Sequence, residues 1–479
     1  MAGLRKELGA AEAMALSVAL MAPTLSASLN GSGMAALAGR AVPLVMVVST
    51  IGVALVAYAF IKLTREYNHA GSSYALTGMT IGPRAGFFAG FALLGVYLAF
   101  CGSTMTASVI FANEFLTGIG INLGSGGWLG VALLATVGGY LLANREIRVV
   151  VRVLLWIEII SIVLIVVLST WVLIKVGAAG DTPSFLNDTG LTAKPFIPGT
   201  QGFGAVIAAT VLGFFCFAGF EASASLGEET AQPRKFIPIA IGAAVLIGGA
   251  LFIFSFYAQS VAYGVSAAGV TQYAGTAAPI SELAKHYVGG WMADLLNFGA
   301  FMSAFGCLLG SVTAGARLMF ALSRDGFGPR RLSKVSSSGA PTAAVLTAVL
   351  FGLTAVLLLH GIAGKSISET YFFWGTIGSL LVLVAYAVTS VGAIKLCLRQ
   401  ERPTKWLEVA LISAGVAFIG YVLYKSCYPV PDFPANLLPY IAGGWLLIGL
   451  LSVVASPRLA ERIGKSLAVE EGFDSKAHV

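Results

Sequence analysis

The stretch Phe214 to Ser225, which reads FFCFAGFEASAS, places a glycine and a glutamate in the middle of an otherwise apolar run. A carboxylate at the centre of a bilayer costs roughly 2.5–3.5 kcal/mol on insertion scales, and such acids usually serve a function. The neighbouring Gly219 weakens the helix, so that freed backbone groups can face a ligand. We therefore predict a broken membrane helix around Gly219, with Glu221 as a functional residue.

Long apolar stretches recur from one end of the chain to the other. Of its 479 residues, 57% are hydrophobic and only 11% are charged. A helix needs about 20 apolar residues to cross a bilayer. We therefore predict an all-α polytopic membrane protein with 12 transmembrane helices, located in the cell membrane. The predicted spans are Ala10–Ala38, Val42–Leu63, Gly86–Phe115, Trp128–Ala143, Val149–Val176, Gly202–Leu226, Ile237–Tyr263, Trp291–Ala321, Ala343–His360, Tyr371–Leu396, Trp406–Tyr424 and Leu437–Val454.

Positive charge is distributed unevenly between the two sides of this arrangement. One side carries 23 of the 29 Lys and Arg residues, and the other side carries 6. Since cytoplasmic loops are enriched in Lys and Arg, both termini are predicted to be cytoplasmic. The net charge of +7 is then a consequence of topology and does not indicate a nucleic acid partner. The basic residues on the less basic side are Arg40, Lys175, Lys194, Lys285, Lys365 and Lys425.

Cysteine and histidine give no sign of a metal site or of an enzyme. The five cysteines are odd in number and lack a CxxC pair, and the four histidines are scattered along the chain. We therefore predict no metal, no cofactor and no enzymatic activity. Outside the spans we expect a short surface helix at Ile280–Tyr287 and a polar, mobile tail after Ala455.

Two of the predicted spans carry features that interrupt a helix. Pro23 lies well inside the first span and removes a backbone donor, and Gly219 lies inside the sixth. The two spans hold the same rank if spans 1–5 and 6–10 are two repeats. Interrupted helices at corresponding positions of two halves indicate a transport site near the middle of the membrane. This pairing predicts a transporter.

Three stretches resemble the amino acid–polyamine–organocation superfamily of permeases. FAGFEASASLGEETAQPRKFIPIAI (217–241) is similar to the family's F-x-G-x-E run followed by an acidic pair and I-P, and the other two stretches are AGSSYALTGMTIGPRAGFFAGF (70–91) and ARLMFALSRDGFGP (316–329). The resemblance implies a LeuT-type fold, with two inverted repeats of five helices plus two peripheral helices. It divides the chain into a transport core at 1–400, peripheral helices at 401–455 and a cytoplasmic tail at 456–479. A major facilitator fold is the alternative, supported only by SRDGFGPRR (323–331), and it leaves both helix breaks unexplained.

The resemblance also implies a binding site between the broken first and sixth spans, which alternating access would open to each side in turn. An amino acid carboxylate would be bound by the backbone and hydroxyl groups that follow Pro23, and an ammonium by carbonyl groups at the two breaks. Phe215 is the expected aromatic gate. The implied substrate-binding residues are Met21, Pro23, Thr24, Leu25, Ser26, Tyr97, Phe215, Cys216, Phe217 and Ala218.

Two acids inside predicted spans, Glu158 and Glu221, are candidates for proton coupling. Some relatives place a lysine near the position of Glu158, in a sodium-like site, and the glutamate keeps a protonatable group of opposite charge there. Sodium coupling stays open, because Ser303, Ser311 and Thr313 offer hydroxyl oxygens, and so does exchange without an ion. Imported amino acids are the expected substrates. Related putrescine importers also have a proline in the first span, so amines and polyamines stay open, as does a membrane sensor that does not transport.

Overall fold

The computed structural model describes residues 9–67, 73–145, 148–177, 190–226, 230–335, 341–400, 403–428 and 435–470, together with 430 and 433. Helices account for most of this part of the chain. The α-helices are α1 Ala10–Met21, α2 Pro23–Ala38, α3 Val42–Glu66, α4 Ser73–Thr80, α5 Pro83–Gly118, α6 Gly127–Ala143, α7 Arg148–Gly177, α8 Gly202–Phe217, α9 Pro233–Tyr263, α10 Ala267–Gly275, α11 Pro279–Tyr287, α12 Gly290–Arg324, α13 Thr342–Val356, α14 Ile367–Arg399, α15 Lys405–Cys427, α16 Leu437–Ala455 and α17 Pro457–Glu470.

The apolar helices are those expected of a polytopic membrane protein. Within the described residues, 9 helical ranges are long and apolar enough to cross a membrane, the first of which joins α2 and α3. Two further apolar helices, α6 and α8, are shorter. Each predicted span coincides with at least one of the helices α1–α3, α5–α9 or α12–α16. The all-α membrane class is therefore confirmed, and the count of twelve crossings stays a prediction.

Helix α5 lies at the centre and packs against α12, α13, α14 and α17. Close approach depends on small residues, as is usual where membrane helices meet. A Cβ on Gly102 would lie 2.9 Å from the Trp374 ring of α14, and one on Gly95 would lie 2.5 Å from Trp445 Nε1 of α16. The glycines of α5 therefore form shallow slots for two large aromatic side chains.

The two short helices α10 and α11 both pack against α2. The Tyr273 hydroxyl of α10 donates to Gln259 Oε1 at 3.0 Å, and Gln259 Nε2 donates to the carbonyl of Ala27 at 3.1 Å. A Cβ on Gly31 would lie 1.9 Å from the Tyr273 hydroxyl, so α10 sits directly on α2. The short helix predicted at Ile280–Tyr287 is confirmed as α11, whereas α10 was not predicted.

The segment after Ala455 differs from the expectation of a mobile tail. Residues 457–470 form α17, which packs against α4 and α5, and the predicted mobility of the tail is wrong for them. Ala460, Ile463 and Leu467 are buried, and their three- and four-residue spacing marks one apolar helix face. The polar composition of the segment concealed this pattern, and residues 471–479 lie outside the described part of the chain.

Polar contacts extend the docking of α17 to the ends of α5 and α12. Arg84 Nη2 lies 3.3 Å from Glu461 Oε2, and Arg324 Nη2 donates to Ser466 Oγ at 2.8 Å. The Lys465 ammonium, together with Arg84, holds the pKa of Glu461 below its usual value. These exposed pairs contribute little each, so the buried apolar face provides most of the binding energy of α17.

Replacing Gly464 with alanine should release α17. A Cβ at this position would lie 1.9 Å from the carbonyl oxygen of Pro83 and 2.5 Å from its carbon, and these backbone atoms cannot move aside as a side chain can. We expect trypsin to cleave at Arg458, Arg462 and Lys465 more than about tenfold faster, which corresponds to about 1.4 kcal/mol. Mass spectrometry of the fragments measures this rate.

The matched control is Gly444→Ala in α16, where an added Cβ would meet nothing within 4 Å. It should leave the cleavage rate within α17 unchanged. Equal cleavage rates in the two variants would contradict the docked position of α17.

Candidate substrate site

The first helix break separates α1 from α2 at Ala22. Pro23 disfavours the α conformation for the residue before it, and Ala22 adopts a left-handed conformation with φ 45° and ψ 59°. It is the only non-glycine residue with positive φ in the described chain. Pro23 then starts α2, where its missing N–H is harmless. The interruption predicted from Pro23 is therefore confirmed at the level of the backbone.

The start of α2 points its backbone donors at two side chains from other helices. Thr24 N donates to Glu158 Oε1 of α7 at 2.8 Å, and Leu25 N donates to Ser303 Oγ of α12 at 3.2 Å. Glu158 is only 6% exposed. A helix N-terminus carries a partial positive charge, so this geometry stabilises a carboxylate that would otherwise be costly to bury.

Close packing of α7 on α12 brings the two acceptors together. A Cβ on Gly299 would lie 2.1 Å from Ser161 Oγ, so glycine is required where the helices meet. Ser161 lies one turn after Glu158 on α7, and Ser303 lies one turn after Gly299 on α12. Both acceptors therefore face α2 from the same junction.

The second break follows α8. That helix ends at Phe217, Gly219 has φ 102°, and the chain continues as a 3-10 turn at Ala222–Leu226. The bonds in this region join residues three apart, such as Phe220 N to the Phe217 carbonyl at 3.0 Å. The interruption predicted at Gly219 is confirmed, and it lies next to the acid that prompted the prediction.

The two breaks touch each other. A Cβ on Gly219 would lie 2.9 Å from Leu20 Cβ and 3.0 Å from the Leu20 carbonyl carbon. Beyond the breaks, Ser223 N donates to Ser17 Oγ of α1 at 3.0 Å. The irregular backbone of both helices therefore surrounds one small region, which also borders Glu158 and Ser303.

Glu221 is held on the opposite side of the second break. The Tyr386 hydroxyl of α14 donates to Glu221 Oε2 at 2.7 Å. The Tyr386 ring packs edge-on against Phe60 and Phe220, with ring centroids 5.5 and 5.4 Å apart. This aromatic cluster fixes the tyrosine, and the tyrosine fixes the carboxyl group.

Phe215 closes a stack of rings above the break. Its ring centroid lies 5.1 Å from that of Phe100 and 5.5 Å from that of Tyr371. A Cβ on Gly375 would lie 2.4 Å from the Phe215 ring, so the ring occupies a slot that glycine leaves in α14. The Tyr371 hydroxyl donates to Asn30 Oδ1 at 2.8 Å, and Asn30 Nδ2 contacts Cys216 Sγ at 3.2 Å.

Comparison with known proteins identifies the group to which this architecture belongs. A family model described as amino acid permease matches residues 13–427. The chain belongs to the amino acid permease family. The resemblance to the amino acid–polyamine–organocation superfamily is thereby confirmed.

Several relatives of this permease cover two thirds or more of its length. It is 28% identical over 460 residues to the branched-chain amino acid permease BcaP of Bacillus subtilis (strain 168), covering 94% of this chain and 92% of that protein. It is 25% identical to the branched-chain amino acid permease BcaP of Lactococcus lactis subsp. cremoris (strain MG1363), covering 91% of each. The low-affinity putrescine importer PlaP of Escherichia coli (strain K12) is 27% identical over 332 residues, with 68% of this chain and 69% of that protein covered.

In the permease, the remaining residues that were predicted to bind substrate lie at different places around the two breaks. Phe217 packs edge-on against Phe252 of α9. Tyr97 is partly buried on α5 beside Gly315 of α12. The carbonyl of Met21 accepts from Ser26 Oγ at 3.3 Å, so this hydroxyl bridges the first break.

Some backbone groups around the second break are also already hydrogen-bonded within the protein. The Phe215 carbonyl accepts from Ala218 N at 3.3 Å. Ala218 is 8% exposed and Cys216 is fully buried. Of these residues, Phe215 places its ring next to the breaks, and Ala218 places its backbone there.

Sequence reasoning missed two residues that tie the site together, although it included Tyr371 among residues that could line the pocket. Asn30 and Phe100 are ordinary membrane-helix residues in sequence, and nothing in their spacing links them to Cys216 and Phe215. The three hydroxyls considered for sodium are also separated. Ser303 Oγ accepts from Leu25 N, whereas Thr313 Oγ1 donates within its own helix to the Leu309 carbonyl at 2.8 Å.

Replacing Tyr386 with phenylalanine should impair the permease without unfolding it. The change removes the donor to Glu221 and leaves the aromatic cluster in place. Removing one hydrogen-bond partner of a partly buried carboxyl group costs about 1–3 kcal/mol, so we expect substrate uptake to fall roughly tenfold. Uptake of labelled amino acid into proteoliposomes measures this. Tyr440→Phe, at a position 72% exposed on α16, is the control, and equal rates in both variants would contradict the positioning role of Tyr386.

Proposed function

We propose that this permease imports amino acids by proton-coupled alternating access, with the substrate bound between the breaks at Ala22 and Gly219. The observation that carries the proposal is the meeting of two interrupted helices beside a buried acid. Discontinuous helices supply unpaired backbone groups where a small zwitterion needs them. Membership of the amino acid permease family supports the same class of substrate.

The pairwise packing of helices supports the LeuT-type arrangement with two repeats of five. Counting α1 with α2 as helix 1, the contact of α3 with α9 joins helices 2 and 7, and that of α5 with α12 joins helices 3 and 8. Exchanging each helix for the one five positions away turns the contact of α1 with α9 (helices 1 and 7) into that of α8 with α3 (helices 6 and 2). It likewise turns the contact of α5 with α14 (helices 3 and 10) into that of α12 with α7 (helices 8 and 5). We propose residues 1–400 as the transport core, 401–455 as peripheral helices and 456–479 as the cytoplasmic tail.

Closures on both sides of the breaks support alternating access. On one side Tyr273 of α10 covers α2 at Gly31. On the other side Ser223 is bonded to Ser17 of α1. We propose that these two contacts open at different stages of the cycle. The uneven distribution of Lys and Arg supports a topology in which Tyr273 is extracellular and both termini are cytoplasmic.

An apolar side chain is the substrate side chain that best matches the surroundings. The rings of Phe100, Phe215 and Tyr371 lie next to the breaks, and the acids nearby are engaged by Thr24 and Tyr386. Two relatives are named branched-chain amino acid permeases. We therefore propose leucine, isoleucine and valine as substrates, with Phe215 as the gate.

We assign the coupling proton to Glu158. It is the acid that directly contacts the unwound start of α2, and protonation there changes the hydrogen bonding of the first break. Glu221 is assigned the role of holding Tyr386, which packs between α3 and the second break. Moving one charge through about 100 mV supplies about 2.3 kcal/mol, enough for roughly 50-fold accumulation.

The experiment is uptake of labelled leucine into proteoliposomes with an alkaline interior and no sodium. Excess putrescine and excess valine are tested as competitors. We expect accumulation above the no-gradient control, which valine abolishes and putrescine leaves intact. Because the chain is similar to a putrescine importer, inhibition of leucine uptake by putrescine would contradict this expectation and assign the site to amines. Absence of leucine uptake under any gradient would contradict the amino acid assignment.

A further inference from the structure

Every backbone donor in the first turn of α2 has a partner within the protein. Pro23 has no N–H, Thr24 N donates to Glu158, Leu25 N donates to Ser303, and Ser26 N donates to the Ala22 carbonyl at 2.9 Å. This is the turn that a substrate carboxylate would be expected to occupy. The carboxylate that occupies it here belongs to the protein.

One further polar group at the same place makes no hydrogen bond of normal geometry. The Thr24 hydroxyl is fully buried, and it lies close enough to the Glu158 carboxyl group to interact with it. Buried hydroxyls are normally paired. It lies on the residue whose N–H is bonded to Glu158, so a ligand oxygen that approached Thr24 could accept from both its hydroxyl and its N–H.

We propose that Glu158 and the carboxylate of the substrate compete for the N-terminus of α2, so that an amino acid binds there together with one proton taken up by Glu158. This inference rests on the proposed function, because it requires a substrate with a carboxylate. In the free protein, Glu158 satisfies Thr24 N and stabilises the break. When a proton binds to Glu158, the carboxyl group loses its charge and its attraction to the helix N-terminus.

The exchange balances in charge and in hydrogen bonds. The bond from Thr24 N to Glu158 breaks, and Thr24 N and the Thr24 hydroxyl donate to the incoming carboxylate. The new O–H of Glu158 becomes a donor, and Ser303 offers an acceptor within the same junction. One anion replaces another at the helix N-terminus, and the proton travels with the substrate. Coupling then follows from competition for a single site.

The other titratable groups around α7 do not compete for this role. Cys307 of α12 interacts with Glu158, and α2 contains no titratable residue. The charged residues of α9, Arg234 and Lys235, lie in its first turn. The charged residues of α12 lie toward its two ends, and the other charged residues nearby belong to the short helix α11. The side chain of Glu12 on α1 lies outside the described residues. Arg152, on α7 itself, is exposed.

The test is the affinity for leucine of the purified protein, measured by equilibrium binding between pH 5 and pH 8. If one proton binds with each leucine, the affinity falls about tenfold for each unit by which the pH rises, over the range where Glu158 is ionised in the free protein and protonated in the complex. Glu158→Gln keeps the size of the side chain and an oxygen that accepts from Thr24 N. It should bind leucine with an affinity that does not change with pH. Glu461→Gln, on the exposed face of α17, is the control and should keep the pH dependence of the wild type.

A second measurement on the unmodified protein keeps the proposal testable if the glutamine variant is unstable. Leucine is added to weakly buffered protein with a pH indicator, and uptake of about one proton per bound leucine is expected. Leucine binding without proton uptake, or an unchanged pH dependence in Glu158→Gln, would overturn the inference and leave the proposed substrate intact. Failure to bind any amino acid at any pH would instead contradict the proposed function.

Discussion

Glu158→Gln is expected to abolish accumulation of leucine while leaving equilibration of leucine across the membrane. The amide cannot carry a proton, but its oxygen can still accept from Thr24 N, whose bond to Glu158 Oε1 is 2.8 Å. With about 100 mV across the membrane, the wild type should concentrate leucine up to roughly 50-fold. In the variant the ratio of internal to external leucine should approach one, because the gradient no longer drives the cycle.

Counterflow exchange of leucine provides the internal control for this variant. Exchange needs the site and the conformational change but no net proton movement, so it should stay within a few-fold of the wild type. Glu461→Gln, on the exposed face of α17, should accumulate leucine normally. Loss of both accumulation and exchange would show that Glu158 is needed for the fold of the site. Full accumulation in Glu158→Gln would show that another group carries the proton.

Gly219→Ala is expected to inactivate the transporter through backbone strain and a collision with the first break. Gly219 has φ 102°, a conformation that costs a residue with a Cβ about 1–2 kcal/mol or more. The added Cβ would also lie 2.9 Å from Leu20 Cβ and 3.0 Å from the Leu20 carbonyl carbon. Strain and collision both act at the contact between the two breaks, so we expect leucine uptake to fall well beyond tenfold.

Gly443→Ala is the matched control, because an added Cβ at Gly443 of α16 would meet nothing within 4 Å. Both variants are compared at equal amounts of reconstituted protein in the proteoliposome assay. Gly443→Ala should transport like the wild type. Uptake by Gly219→Ala within a factor of two of this control would contradict the requirement for close contact between the breaks.

The helix breaks could be predicted from the sequence because each has a local cause. Pro23 removes a donor and constrains Ala22, and Gly219 permits a conformation that other residues resist. The apolar spans were predictable for the same reason, since a bilayer requires about 20 apolar residues in a row. Local chemistry therefore gave the class of protein and the position of the two interruptions.

The partners of the buried acids could not be predicted, because they depend on contacts between distant parts of the chain. Glu158 and Thr24 are 134 residues apart in sequence, and Glu221 and Tyr386 are 165 apart. An acid inside a span signals that a partner exists but does not identify it. The docking of α17 was missed for a related reason, since its contact with Pro83 depends on tertiary packing that composition does not report.

Proton entry driven by leucine tests the central claim most directly. Proteoliposomes containing a pH indicator are prepared without sodium and without a pH gradient, and leucine is added outside. Proton-coupled import predicts acidification of the interior upon leucine addition, with none for Glu158→Gln. Entry of labelled leucine without a change in internal pH would contradict the account.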